Sequence, residues 1–154
     1  MIKGFFTISE NDKTILKIEN QILKDGYLFA KTPVNGLNFV QFFDKILCGE
    51  QINPDPSTYT TYQALQSPLA GFAFNRVAMG RMSETAAGCM YSFTFKREKS
   101  SYAGYSITEL AVQVSNGQTS KLFSRVVALP GQILHQLSGT HDTYVTYDLI
   151  EELI

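Results

Sequence analysis

Two histidines near the C-terminal end of the chain are the side chains best suited to acid–base chemistry. His141 is followed directly by Asp142, and an imidazole beside a carboxylate makes up two members of a hydrolytic triad. A triad also needs a nucleophile on a strained turn, and the sequence contains no Gly-x-Ser-x-Gly. Because His135 and His141 flank the turn-like Ser138-Gly139-Thr140, we expect two exposed loop histidines and no catalytic residue.

The two cysteines, Cys48 and Cys89, are the next candidates for chemistry. They lack metal-ligand spacing, and we expect two buried free thiols. Cys48 ends a segment with helical periodicity, where the helix dipole would oppose a thiolate. No HExxH, CxxC or EF-hand loop occurs, and no glycine-rich loop is followed by Lys-Ser or Lys-Thr. The sequence therefore predicts a non-enzymatic protein with no metal and no cofactor.

Composition restricts the partners that can be expected. The chain has 154 residues, 44% hydrophobic and 18% charged, with a net charge of -1, which suits one globular domain without broad attraction to nucleic acid. Eleven Phe and eight Tyr favour β structure. The N-terminus has no apolar stretch of useful length before Glu10, and no run approaches the ~18 apolar residues that span a bilayer. We expect a chain made in the cytoplasm, with no membrane span.

One apolar stripe follows the period of an α-helix. Its members recur at i, i+3, i+4, i+7 and i+8, and they are Phe39, Phe42, Phe43, Ile46 and Leu47. Gly49 suits the position just past a helix end. This spacing predicts one amphipathic helix near residues 35–48.

The N-terminal residues 1–30 read as short strands. Apolar-rich stretches lie at 3–8 and 14–18, and Asp25-Gly26 is a favoured hairpin turn. We interpret 1–30 as a β arm or hairpin that docks onto a partner by strand addition. Phe5 and Phe6 are its candidate interface residues.

Alternating strands dominate the rest of the chain, at 89–96, 104–114, 121–129 and 143–150. Their spacing predicts a mainly β domain over 31–154, an antiparallel β-sandwich of jelly-roll-like type with the one helix. A turn at Asn116-Gly117 would pair two of these strands and bring Glu109 near Arg125. We predict that the two side chains form a structural ion pair.

Two stretches read as loops, Gln51–Pro68 and Gly80–Gly88. The first is long and rich in proline, serine and threonine, and a loop of this length in a compact domain is often functional. Its Tyr59 and Tyr62 are candidate interface or sugar-stacking residues, because tyrosine buries a ring while its hydroxyl still finds a partner.

The order of these segments resembles a loose group of bacteriophage virion proteins. The shared features are a helix ending in Leu-Cys-Gly at 47–49, an Ile-Thr-Glu-Leu-Ala strand at 107–111, a Leu-Phe-Ser-Arg-Val-Val-Ala-Leu-Pro strand at 122–130, and the alternating strand 143–150. The resemblance covers 35–154, although the chain departs from the group between Ser57 and Ala78. It implies a structural subunit of a tail, collar, neck or fibre attachment, located in the virion. Its partners would be copies of itself and neighbouring virion proteins.

Two other classes of function remain open at this point. A glycan-binding or receptor-binding β-sandwich of a phage tip would need an exposed cluster of aromatic and amide side chains, and the candidates are Asn53, Tyr59, Tyr62 and Gln63. A small β-barrel enzyme or ligand carrier would need a deep pocket with convergent polar groups.

Overall fold

The computed structural model describes residues 2–31, 43–49, 68–77, 81–85, 88–99, 104–115, 120–129 and 131–152. Within these residues the chain forms one helix and eleven strands. They are β1 (Ile2–Glu10), β2 (Lys13–Ile22), α1 (Lys24–Lys31), β3 (Phe43–Gly49), β4 (Pro68–Arg76), β5 (Arg81–Thr85), β6 (Gly88–Arg97), β7 (Ser106–Ile107), β8 (Glu109–Ser115), β9 (Ser120–Val127), β10 (His135–Gln136) and β11 (Thr143–Glu152). The predicted mainly β fold is confirmed.

Nine strands form one curled antiparallel sheet in the order β11-β1-β2-β9-β8-β3-β4-β6-β5, and β11 also pairs with β6. Most neighbours pair over five residues or more, but β2 meets β9 only at Gln21 and Ile22. Similarly, β4 meets β6 only at Asn75 and Arg76. These two short pairings act as corners between two runs of long pairings, as in sandwiches whose sheets share strands at their edges. The separate strands β7 and β10 pair with each other.

The core lies between the two runs and is built from alternate side chains of their strands. In β11 the residues Val145, Tyr147 and Leu149 are buried while their neighbours are half-buried. Aromatic rings fill the centre: the ring of Phe43 lies 4.6 Å from that of Phe93 and 4.9 Å from that of Phe123, centroid to centroid. Each fully buried side chain of this size stabilises the fold by about 1.5–3 kcal/mol.

The N-terminal strand belongs to this main sheet. β1 pairs with β11 along its whole length and with β2 on its other side. Phe6 and Ile8 are fully buried in the core. Phe6 is therefore not available to a partner, whereas Phe5 is half-buried and lies on the opposite face of the strand.

The helix predicted near residues 35–48 is wrong where the structure describes it, because Phe43–Gly49 is strand β3. This strand lies between β4 and β8 in the sheet. Its pairing with β8 has a register shift, and both of its faces are covered: Phe43 and Ile46 enter the main core, while Leu47 packs against a second apolar cluster. An irregular strand with apolar residues on both faces mimics the spacing of a helical stripe.

The predicted hairpin turn at Asp25-Gly26 is also wrong, since Gly26 lies inside helix α1. This helix packs on β9, and the amide of Leu23 just before it donates to the carbonyl of Phe123 at 2.8 Å. A Cβ atom on Gly26 would lie 2.0 Å from the carbonyl oxygen of Leu122. The glycine therefore serves a close approach of helix to strand, and not a turn.

The predicted loop at Gly80–Gly88 is wrong as well, because β5 pairs with β6 along five residues. Ser83 and Glu84 of β5 are exposed, so this edge strand carries no apolar alternation to reveal it. The predicted strand 104–114 is divided into β7 and β8. The predicted strands at 89–96, 121–129 and 143–150 are confirmed as β6, β9 and β11.

Several predictions fall outside the described residues. They concern the helix over 35–42, the loop over 51–67, the turn at Asn116-Gly117, the interface candidates Tyr59 and Tyr62, and the glycan-site candidates Asn53 and Gln63. No helix in the described ranges has the length and apolar character needed to cross a membrane.

Candidate functional site

The second strand carries a long backbone edge that is a candidate interaction site. β2 pairs with β1 from Lys13 to Asn20. On its other side it pairs with β9 only at Gln21 and Ile22. Among the residues that the structure describes, the edge from Lys13 to Asn20 therefore has no second strand beside it. Such an edge presents a row of N–H and C=O groups to which another strand can add.

The side chains along this edge alternate between solvent and core. Ile15, Lys17 and Glu19 are exposed, and Ile15 keeps 46% of its surface. Leu16 and Ile18 are partly buried and pack against the main core. The inner residues thus hold β2 in place, while the outer face is available together with the edge.

The outer face of β1 completes this surface. Phe5 stands opposite Glu19 in the register of β1 with β2. The ammonium group of Lys17 lies 5.4 Å from the centroid of the Phe5 ring, a distance at which a cation is attracted to an aromatic face. Phe5, one of the predicted interface residues, is therefore part of a small patch that combines a ring, a cation and a carboxylate.

A second polar cluster lies where β1 ends and β11 begins. One oxygen of the Glu10 carboxylate accepts a hydrogen bond from Thr143 Oγ1 at 2.8 Å and lies 2.9 Å from His135 Nε2. Its other oxygen accepts from Ser138 Oγ at 3.2 Å. Partial burial raises the pKa of Glu10, but the hydrogen bonds from His135 and Thr143 outweigh burial and lower this pKa overall. An ionised carboxylate only accepts, so Nε2 carries the proton in this contact.

This cluster joins chain segments and does not form a nucleophile–base relay. Ser138 donates to the same carboxylate that His135 contacts, so the hydroxyl is not bonded to the imidazole. The predicted exposure of His135 is wrong, because its side chain keeps only 9% of its surface. His141 is exposed as predicted, and its Nδ1 lies 3.0 Å from Thr140 Oγ1.

The structure brings together the predicted pair Glu109 and Arg125. Strands β8 and β9 are antiparallel, with Glu109 opposite Val127 and Ala111 opposite Arg125, so the two charged residues are diagonal neighbours. Arg125 Nη2 donates to Glu109 Oε2 at 2.5 Å, and neither side chain is exposed. The pair lies within the sheet and is not accessible from solvent.

A buried phenol forms a third polar contact. Ser124 Oγ donates to Tyr147 Oη at 2.9 Å, and burial raises the pKa of Tyr147 well above its usual range. A Cβ atom on Gly4 would lie 2.5 Å from this phenol oxygen and 2.6 Å from Asn20 Oδ1. The absence of a side chain at Gly4 makes room for these polar groups between β1, β2 and β9.

The two thiols differ in their burial. Cys48 is buried, and burial raises its pKa well above the usual value, which opposes thiolate formation. Cys89 is half-buried and also free. Within the described ranges, no three His, Cys, Asp or Glu side chains are grouped so as to hold a metal ion.

Comparison of the chain with protein-family models, with curated proteins and with solved structures found no match.

Proposed function

We propose that this chain is a non-enzymatic structural subunit of a bacteriophage particle that acts through protein–protein assembly. The observation that carries the proposal is the edge of β2 from Lys13 to Asn20, which the described strands leave without a second neighbour. Backbone groups at such an edge gain hydrogen bonds when a partner strand is added. A subunit that must join neighbours can use this edge without any change in its own fold.

The polar clusters are used within the chain, which supports a structural role. Glu10 ties the segment around His135 and Ser138 to the start of β11. Glu109 and Arg125 neutralise each other between two strands. Charged groups that bind other groups of the same chain hold its strands in position, whereas a catalytic group must face a substrate.

The assignment to a phage particle is supported by the segments that resemble virion proteins. Three of the four correspond to strands β7 and β8, to β9 and to β11, which supply much of the core. The fourth, the predicted helix that ends at 47–49, is strand β3 where the structure describes it and lends no support. The buried ion pair joins the first of these segments to the second. The resemblance therefore concerns residues on which the sheet depends.

Mass spectrometry of purified particles tests the proposal. Particles made by the phage or prophage that encodes the chain should contain it at a fixed ratio to the other particle proteins through repeated density-gradient steps. An abundant host cytoplasmic protein, followed in the same fractions, is the control for contamination. If the chain stays in the soluble lysate and is depleted with that control, the proposed function is wrong.

A further inference from the structure

We infer that the β2 edge binds the β2 edge of a second copy of this chain, antiparallel and centred on Ile18, so that one sheet continues across two subunits. The inference rests on the proposed assembly function, and it names the partner for that edge. Two copies related by a two-fold axis present the same edge to each other, and antiparallel pairing is the arrangement that this symmetry gives to a strand beside its own copy.

Strand geometry limits the possible registers. Residues that face each other across an antiparallel pair are of the same hydrogen-bonding type, so the two-fold axis must pass through a residue and its own copy. A centre at Ile18 places Ile18 opposite Ile18 of the second copy. It also places Lys17 opposite Glu19 of the second copy, and Glu19 opposite its Lys17. Lys17 and Glu19 then each face an opposite charge, so the dimer contains two such pairs.

Antiparallel pairings centred on the residues next to Ile18 are less favourable. A centre at Lys17 or at Glu19 sets two like charges directly opposite each other, which destabilises a strand pair. A centre at Leu16 would have to use Ile15, where the register of β1 with β2 shifts between Ile8 and Ser9. The segment 16–20, by contrast, follows a regular register with β1.

The exposure and packing of residues 16–20 suit pairing with a second copy of the chain. Lys17 and Glu19 are exposed on the outer face, where two facing pairs can form without burying a charge. On the inner face Leu16 and Ile18 pack against the core and keep the edge extended. The five residues 16–20 match the usual length of a strand.

A charge-reversal series tests this register. We would measure self-association of the full chain by sedimentation velocity across a wide concentration range. The variants are Lys17→Glu, Glu19→Lys and the double variant with both substitutions. Each single variant should weaken the dimer at least about tenfold, because two attractive pairs become two repulsive pairs. The double variant restores opposite charges at both positions and should dimerise like the wild type.

Lys13→Glu is the matched control, because Lys13 is exposed on the same strand but lies outside the paired segment. It should leave the dimer unchanged. Circular dichroism and urea unfolding would verify that every variant is folded, as expected for substitutions at exposed positions.

A wild-type chain that stays monomeric at all concentrations would overturn the inference, and so would a double variant that dimerises no better than the single ones. Failure here is distinguishable from failure of the proposed function. A monomeric chain that is still found in purified particles would remove this partner but leave the particle role in place. A chain that dimerises but never enters particles would leave this partner in place and remove the particle role.

Discussion

The buried ion pair gives the sharpest prediction about stability. Replacing Arg125 by Met, or Glu109 by Leu, leaves the other charge in a site where neither side chain had any exposed surface. Replacing both removes the two charges together and fills the site with apolar groups. We therefore expect either single variant to be much less stable than the double variant.

The magnitude follows from the complete burial of the pair. Breaking a buried ion pair from one side costs about 3–5 kcal/mol, because the remaining charge keeps its desolvation penalty. Replacing both members by apolar residues is often neutral or even stabilising. A domain of this kind unfolds with a free energy of about 5–15 kcal/mol, so a single variant would lose a large fraction of its stability. The double-mutant cycle should show a coupling energy of several kcal/mol.

Urea unfolding followed by circular dichroism measures these differences, and tyrosine emission is a second probe because the chain has no Trp. With a slope of about 2 kcal/mol per molar urea, a loss of about 4 kcal/mol lowers the midpoint by roughly 2 M. Lys3 and Glu152 provide the matched control. Their charged atoms lie 3.6 Å apart with side chains 39% and 35% exposed, and Lys3→Met should cost less than about 1 kcal/mol. If Arg125→Met costs no more than this control, or if the two single effects simply add in the double variant, the reasoning about burial is wrong.

Three further predictions concern other sites. Partial burial raises the pKa of Glu10, but its hydrogen bonds lower this pKa overall. The ionised carboxylate therefore stabilises the fold at pH values above its unfolded pKa. This contribution is lost as the pH falls through the pKa of the folded state. Glu10→Gln should therefore unfold at lower urea than the wild type at about pH 7, and the difference should shrink by about pH 3. Burial raises the pKa of Cys48, so Ellman's reagent should label Cys89 first and reach Cys48 only on unfolding. Rapid labelling of both cysteines in the native state would contradict the burial of Cys48. Gly26→Ala should destabilise the chain by about 1–3 kcal/mol, because the new methyl group would meet the carbonyl of Leu122, and unchanged thermal unfolding would refute this contact.

The sequence was informative where a strand has one buried and one wetter face. The alternation in β6 and β11 revealed both strands, and the proposed turn gave the pairing that joins Glu109 to Arg125. It was misleading in β3, where apolar residues face the core on one side and a second cluster on the other. Hydrophobic periodicity cannot separate such a strand from a buried helix, because both lack a polar face.

The polar cluster and the open edge depend on distant parts of the chain, which explains why local patterns did not reveal them. Glu10 and His135 are 125 positions apart, and their contact requires strand β10 to lie beside the end of β1. In the same way, β2 was recognisable as a strand, but that the described strands leave one of its edges largely without a neighbour is a property of the strand order. The nearest signal in the sequence was the pair of opposite charges Lys17 and Glu19 on either side of Ile18.

Lys17 and Glu19 also distinguish an edge that pairs with a second copy of the chain from an edge that is protected against such pairing. Edge strands of monomeric proteins commonly carry charges, especially lysine, because like charges on two copies keep the copies apart. β2 instead carries opposite signs two residues apart, on the same exposed face. In an antiparallel pair centred on Ile18, this spacing sets Lys17 of each copy opposite Glu19 of the other, which gives two attractive pairs. Pairings centred on Lys17 or Glu19 set like charges opposite each other, so the charges favour the register centred on Ile18. A protected edge would already keep two copies apart, so Lys17→Glu would leave a monomeric chain monomeric. A paired edge would lose both attractions, because Lys17→Glu gives positions 17 and 19 the same sign, and the mass of the chain in solution should fall from that of a dimer towards that of a monomer.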